Sequence, residues 1–498
     1  MKQTKMPSLS NIDSKLIAGA FSFFSSLVLF AFSNSYNSDS IVYLHTADVF
    51  SSSGWQAAKD IYQRPFYSAI IGSFSDLTNL STITSAQIIS AFLVGLTGFS
   101  FVHLLSSLGA NTQTLKIGAV IICVYPGIAS YKDYFIRDFG YWAFLLLTIS
   151  FCVTHYRTGK LTSFFLWIIC GILATLFRPE ALALISTLLA SSILFAVIEQ
   201  EAKSTILKQY LTFTVILGGA TAAMLLLTAA PLAGLYEFAI YGPEKTLAHI
   251  STSWQELSKT LELEILNRHS REFSSPSLVA IYTTIYASQL VNGLSIPLAG
   301  GLLYFAYKRQ LKYPHSKFIV VAALTTVIVT ATFLISKQFI QTRYLVFLCL
   351  LLLVPLTFAI SNHAAEFSSR SQKAVILLAS FLFLDAHISL GHSKKYISDS
   401  IRWIQENSED NLSIISNDPQ ISYLSGKAYD FTQSNGLRGD EVFNASKISA
   451  NYDIVAWKSD KGTQLQPSLQ INKNIYNQAV FFSNSRDDRV TIYLKHNL

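Results

Sequence analysis

The residues best suited to chemistry are acids and guanidinium groups set in short polar stretches between long apolar runs. They are Asp39, Asp48, Asp60 and Arg64 in the first such stretch, Lys132, Asp133, Arg137 and Asp138 in a second, Arg178 and Glu180 in a third, and Lys337 and Arg343 in a later one. Ionisable groups at membrane depth are expensive and normally face a protein interior or a wet cavity. One reading is simple ion pairing of sequence neighbours, Arg137 with Asp138 and Arg178 with Glu180. The other is a shared polar cavity. Its arginines would hold a phosphate, because guanidinium stays charged and offers a fork of donors. Its carboxylate would take a proton from a nucleophile. No Gly-rich phosphate loop is present, so nothing resembles a nucleotide site. An enzyme built this way needs a substrate that arrives already activated, and a sugar linked to a lipid phosphate fits. Its anionic head stays at the interface while its tail lies in the bilayer.

Long apolar segments must position these side chains. Of the 498 residues, 51% are hydrophobic and 13% charged, where a soluble domain carries about 25% charged residues. Mean hydropathy is +0.38. A spanning helix needs roughly 20 apolar residues. Candidate spans lie at 16–33, 84–106, 114–130, 139–156, 161–177, 180–198, 211–230, 282–306, 318–336, 344–361 and 374–390. The expected fold is therefore an α-helical polytopic membrane protein of about 11 transmembrane helices. The net charge of +7 reports insertion orientation rather than a nucleic-acid partner. With the N-terminus in the cytoplasm, the inner loops hold Lys116, then Arg157 and Lys160, Lys203 and Lys208, Lys308, Arg309, Lys312 and Lys317, and Arg370 and Lys373. Each is basic, as the positive-inside rule requires. The first apolar stretch, preceded by Lys2, Lys5 and Lys15, reads as an uncleaved helix. Cys123, Cys152, Cys170 and Cys349 fall in apolar runs without metal or CxxC spacing.

The chemistry-bearing stretches then all face the outer side. In the first, about 34–83, Ile41, Tyr43, Leu44, Ala47 and Phe50 recur at helical spacing, which predicts amphipathic helices lying at the interface. Tyr43 and His45 flank the acids, His45 as a packing or surface residue. Tyr131, Tyr134 and Tyr141 read as interfacial belt residues. A long loop at about 231–281 reads as a solvated helical segment. The chain divides into a transmembrane part, 1–390, and an outer tail, 391–498. In the tail, KKYISDSIRWIQEN predicts an amphipathic helix, NLSIISNDPQ a strand and turn, and YDIVAWKS and RVTIYLKH strands. This makes a small α/β domain.

Five short motifs in order resemble the GT-C superfamily of membrane glycosyltransferases, in particular the protein O-mannosyltransferase and aminoarabinose transferase types. They are SDSIVYLHTA with Asp39, RPFYSAIIG with Arg64, IRDFGYWAF with Arg137 and Asp138, GILATLFRPEALAL with Arg178, and QTRYLVFLCLLLLVP with Arg343 and Tyr344. The resemblance covers most of 16–390. It implies an inverting transfer from a polyprenyl-phosphate sugar to a lipid, glycan or protein acceptor, at a bacterial inner membrane with the tail in the periplasm. Asp39 would be the base. Asp48, two to three turns on where roughly the same face is possible, and Asp138 are the alternatives. Arg343, Arg137, Arg178, Lys337 and Arg64 would hold the departing phosphate. Tyr43, Lys132, Asp133, Glu180 and Tyr344 would line the pocket. The resemblance leaves a divalent cation open as a cofactor, since the first-loop acid is single where many members have two. Three rivals remain: a flippase or transporter for a lipid-linked saccharide, a polysaccharide polymerase or ligase that also uses a lipid-linked donor, and an assembly or scaffolding protein whose active part is the tail.

Overall fold

The computed structural model describes residues 13–32, 36–199, 207–212, 248, 250–366, 368–387, 394–438, 452–460 and 475–496. These are mostly helical, with one small sheet near the C-terminus. The helices are α1 (Ser14–Phe32), α2 (Ser38–Ile61), α3 (Phe66–Thr78), α4 (Thr82–Ser107), α5 (Thr112–Val124), the single turn α6 (Pro126–Ala129), α7 (Asp138–Thr158), α8 (Leu161–Phe177) and α9 (Ala181–Ile198). Further on come α10 (Ser274–Leu294), α11 (Ile296–Tyr307), α12 (Ser316–Lys337), α13 (Thr342–His363) and α14 (Ser369–His387).

Among the described residues, α1, α4, α7, α9, α12 and α13 are long and apolar enough to cross a membrane, and α10 with α11 make a seventh if counted as one span. These helices make the chain an integral membrane protein. Several expected spans take a different form. The stretch 114–130 breaks at Tyr125, because Pro126 cannot continue a helix and starts α6 instead. The stretch 282–306 begins earlier, at Ser274, and bends by 103° at Ser295. Ser295 has a positive φ of 69°, and a proline stands in the first turn of α11. Hydropathy averaged over a window passes straight through such breaks. Helices α5 and α8 are apolar but short. The expected 374–390 helix appears as α14, which is not among the long apolar set. The span at 211–230 and the first part of the 231–281 loop, with Glu237 and Glu244, lie outside the described residues apart from 211–212.

Contacts divide the chain into two compact units that do not follow its linear order. One holds residues up to Ser22, Leu93–Ser130 and Asp138–Ala386. The other holds Phe23–Phe92, Tyr131–Arg137 and the chain from His387 onward. The first unit is the helical bundle around α7 and α13, whose side chains are buried along nearly their whole length.

The second unit joins the first polar stretch to the tail. Helix α2 starts at Asn37, whose side chain accepts from Ser40 N at 2.8 Å, an Asx cap. It buries Ser40, Ile41, Tyr43, Leu44, Thr46 and Ala47, a stripe at i, i+3 and i+4 spacing. Its axis breaks at Gly54, with φ 80° and ψ −172°, a conformation that glycine alone adopts readily. Helix α3 packs closely on α2: a Cβ at Gly72 would meet the Ala47 carbonyl oxygen at 2.8 Å. In the tail, α15 (Lys395–Asn407), α16 (Pro419–Leu424) and α17 (Phe431–Gly436) accompany a four-stranded sheet of order β1-β2-β4-β3. The strands are β1 (Ile414–Ser416), β2 (Ile454–Ser459), β3 (Tyr476–Ser483) and β4 (Arg489–Lys495). β1 and β2 are parallel and the other pairs antiparallel. Alternation divides the side chains between two faces. Ile414, Ile454, Ala456, Val490 and Ile492 pack with Tyr396, Ile397, Ile401 and Ile404 of α15, while Ile415, Val455, Trp457 and Tyr493 form the other core. Each buried Ile or Val contributes about 1.5–3 kcal/mol. β3 is an unpredicted element: its residues are mostly exposed along an edge, so no apolar alternation marks it.

Gly72→Val should lower the unfolding temperature of the detergent-solubilised protein by several degrees, because backbone oxygen cannot move aside as a side chain can. Gly436→Ala, with nothing within 4 Å of the added carbon, should leave it unchanged. Equal behaviour of the two variants would remove the close approach of α2 and α3 as a stabilising feature.

Candidate functional site

In the helical unit the charged residues gather around Tyr344. Arg178 follows α8 as its C-cap in extended backbone, and Asp138 is the first residue of α7. Both side chains are nearly buried, at 10% and 5% exposure, and Arg178 Nη1 donates to Asp138 Oδ1. Glu180 lies 3.6 Å from Arg178 Nη2. The same guanidinium sits 5.5 Å from the Tyr141 ring centre and 5.0 Å from that of Tyr344. Arg343, in the first turn of α13, lies 5.1 Å from the Tyr344 ring centre and donates to its hydroxyl at 3.2 Å. Two guanidinium groups thus share one electron-rich ring, whose quadrupole attracts both cations. Tyr344 also packs against the apolar cluster of Leu334, Ile340, Leu345 and Leu348, together with Tyr282, Tyr286 and Leu290. Leu334, Tyr282, Tyr286 and Leu290 in turn line an apolar groove of about 340 Å³. The apolar cluster on which Tyr344 packs thus also supplies Leu334 to the groove wall.

In the second unit, α2 presents its polar groups to the tail. Asp39 Oδ1 accepts from Arg438 Nη2 at 3.0 Å. Asp48 accepts from the Tyr423 hydroxyl at 2.7 Å and from Thr82. The two acids stand about two and a half turns apart at 3.6 residues per turn. That spacing places them on roughly opposite sides of α2 rather than on the same face that the sequence left possible, and each has its own partner. His45 stacks on Phe431 with ring centres 4.1 Å apart, and its Nδ1 meets the Tyr429 hydroxyl at 2.8 Å. Burial pushes the His45 imidazole below its ordinary value, and the Asp48 carboxylate opposes this only in part. Burial and the neighbouring Asp48 push the Tyr423 and Tyr429 hydroxyls up, so both remain hydrogen-bond donors. Tyr43 is a packing residue, its ring edge-on to Tyr62 and Tyr67 at 5.4 and 5.2 Å. The 131–137 loop is pinned to the same unit. Ser26 donates to the Lys132 carbonyl, Lys132 Nζ donates to Ser25 at 3.0 Å, and Phe135 N donates to Ser40 Oγ at 3.0 Å. Asp133 acts on Tyr36, whose hydroxyl is pushed up chiefly by burial.

Arg137 does not make the expected ion pair. Its guanidinium lies 5.6 Å from the Tyr62 ring centre, and its buried Nη1 has no hydrogen-bond partner among the described residues. Asp138 is bound instead to Arg178, which precludes a simple neighbour pair. Arg64 and Lys337 are exposed and make no ion pair among the described residues. The sequence residues thus divide between the two units. Asp138, Arg178, Glu180, Arg343 and Tyr344 meet in one; Asp39, Asp48, Tyr43, Lys132, Asp133 and Arg137 belong to the other. Reasoning from sequence did not find Arg438, Tyr423, Tyr429 and Phe431, since isolated tail residues carry no local signal of a partner some 380 positions away. Among the described residues no group of three His, Cys, Asp or Glu is arranged to hold a metal. No protein-family model matches the chain, and no curated protein matches it.

Two outcomes follow. Arg178→Ala leaves the buried Asp138 carboxylate without its cation and should destabilise the protein by about 3–5 kcal/mol. Replacing Asp138 by Ala as well should recover much of the loss, as read by thermal unfolding. For His45, the folded-state value lies below the unfolded one, so the unfolded chain binds more protons. The stability His45 contributes is present above about 6.5 and is lost as pH falls below it. A His45→Phe variant should show a shallower loss of stability between neutral and mildly acidic pH; an identical slope would exclude His45 as its source.

Proposed function

We propose that the protein is a membrane glycosyltransferase of GT-C type, moving a sugar from a polyprenyl-phosphate carrier to a lipid, glycan or protein acceptor. The observation that carries this reading is that Tyr344, which holds Arg178 and Arg343 over its ring, packs on the apolar cluster whose Leu334 lines a groove with Tyr282, Tyr286 and Leu290. A lipid phosphate has those two parts, an anion and an apolar chain, in that order. The buried Arg137 Nη1, in the second unit, has no hydrogen-bond partner among the described residues, and Arg64 and Lys337 are exposed cations.

In the proposed reaction an acceptor hydroxyl or amine attacks the anomeric carbon while Asp39 removes its proton. The bond from that carbon to the phosphate oxygen breaks, and polyprenyl monophosphate leaves with the electron pair. Negative charge on the phosphate grows toward the transition state. Fixed guanidinium donors stabilise that charge more than they stabilise the substrate, which lowers the barrier. Attack opposite the leaving group inverts the anomeric centre. Asp48 and Asp138 are the alternative bases; all three acids have partners, Asp39 in Arg438, Asp48 in Tyr423 and Thr82, and Asp138 in the buried Arg178. The setting proposed is a bacterial inner membrane crossed about eleven times, with the N-terminus cytoplasmic and the tail periplasmic.

One observation favours a rival. The 103° bend between α10 and α11 is a broken helix, and broken helices build the substrate sites of many transporters. The two readings separate in one assay. Purified protein is incubated with labelled polyprenyl-phosphate sugars and bacterial membrane lipids and proteins, followed by mass analysis for a hexose or pentose increment. Transfer should appear with wild type and be lost, by a factor of at least about 10² for a catalytic base, in Asp39→Asn. Arg343→Ala should lose it as well, and both variants should remain folded in the membrane. Movement of the labelled lipid across vesicles with no covalent product would establish the transporter instead, and full activity of Asp39→Asn would remove the base assignment.

A further inference from the structure

A cavity of about 410 Å³ opens in the tail unit where the parallel strands β1 and β2 end. Nothing in the sequence marks it. Ligands of open α/β sheets bind beyond the carboxyl ends of parallel strands, because the loops there diverge and leave a crevice, and the volume is that of a small-molecule site. Its floor is held by Asn417, just past β1, and Lys458, near the end of β2. Asn417 Nδ2 donates to the Lys458 carbonyl and Lys458 N donates to Asn417 Oδ1, each at 2.8 Å. Both walls are thereby fixed before any ligand arrives.

The lining combines two chemistries. Lys394, Lys458 and Arg438 supply three cations from three separate elements. Lys394 makes no ion pair among the described residues, while Lys458 reaches Asp418 only at 3.4 Å. Asp418, Asp460, Asn37 and Asn417 supply carboxylates and amides, the groups that bind sugar hydroxyls, and Ser38 and Ser459 add hydroxyls of their own. A plain inorganic anion would have no use for the acids, and a neutral sugar none for the three cations. We propose that this cavity binds a phosphate ester of a polyol, the chemistry of a sugar phosphate or a phosphorylated glycan or lipid headgroup.

Arg438 gives the site a second property. It lines the cavity and also donates to Asp39 at 3.0 Å. A phosphate that engages Arg438 competes with the Asp39 carboxylate for the same guanidinium, so filling the cavity loosens Asp39 and removing Asp39 favours filling. This linkage stands on the cavity and the ion pair alone and does not rest on the transfer reaction proposed above.

The test is calorimetric titration of the full-length protein in phosphatidylcholine nanodiscs with glucose 1-phosphate, with glucose as the neutral control. A second arm uses nanodiscs containing phosphatidylglycerol, whose headgroup is a lipid-borne polyol phosphate. Saturable binding of glucose 1-phosphate and not of glucose is expected. If the lipid headgroup is the natural source, phosphatidylglycerol should compete with it. Lys394→Ala, at an exposed position, and Lys458→Ala should each weaken binding about tenfold or more, the loss of one charge-assisted hydrogen bond. Asp39→Asn should tighten it severalfold by releasing Arg438. The proposal is overturned if glucose and glucose 1-phosphate bind alike, if neither arm gives saturable binding, or if the folded Lys394→Ala and Lys458→Ala proteins bind as wild type does. Loss of transfer in Asp39→Asn with retained phosphate binding would separate this site from the reaction.

Discussion

A guanidinium at the end of an apolar helix must be neutralised or hydrated, and the Arg178–Asp138 pair is where this protein meets that constraint. Both groups are almost wholly withdrawn from solvent. Their attraction repays desolvation only because the geometry is close and because Tyr141, Tyr344 and Glu180 surround the cation with further negative potential. Helices α7, α8 and α13 meet at this point. The pair thus ties the start of α7 to the end of α8, and through Tyr344 it reaches the start of α13. It also sets the charge of the cluster.

The second unit solves a different problem, that of holding an amphipathic helix with little core of its own. Helix α2 has a narrow buried stripe and a break at Gly54. Its polar positions, on more than one side, carry two acids and a histidine that would otherwise be solvated. The tail supplies partners matched to each: Arg438 for Asp39, the Tyr429 hydroxyl and Phe431 ring for His45, and the Tyr423 hydroxyl for Asp48. A further tail side chain joins in where Gln420 Oε1 accepts from the backbone N of Tyr36, just before α2. The small sheet therefore serves as a scaffold for the first polar stretch as well as having a core of its own.

The apolar helices were legible because length and hydropathy are local properties. The buried stripe of α2 and that of α15 were legible because a 3.6-residue period repeats within a few turns. The breaks at Pro126 and Ser295 were written in single residues inside otherwise apolar windows, and window averages conceal them. β3 was hidden because an edge strand with exposed residues such as Asn477 and Gln478 has no apolar alternation to read. At the site, sequence proximity suggested Arg137 with Asp138, whereas the buried pair is Arg178 with Asp138, forty positions apart. Which acid an arginine meets is decided by helix packing, and no local pattern encodes it. Arg438 was invisible for the same reason.

That invisibility has a chemical consequence. Asp39 read from sequence is an isolated acid in a polar stretch, available to act as a base. In the folded protein it is one partner of an ion pair whose other member also lines a cavity. A carboxylate held by a guanidinium is a poorer base than a free one, because the cation stabilises the ionised form. An enzyme that needs Asp39 as a base is therefore best served by a ligand that draws Arg438 away only when an acceptor is present. Under the transfer reaction proposed above, such an arrangement would keep the acid paired in the resting protein and couple proton removal to occupancy of the tail cavity through one arginine side chain.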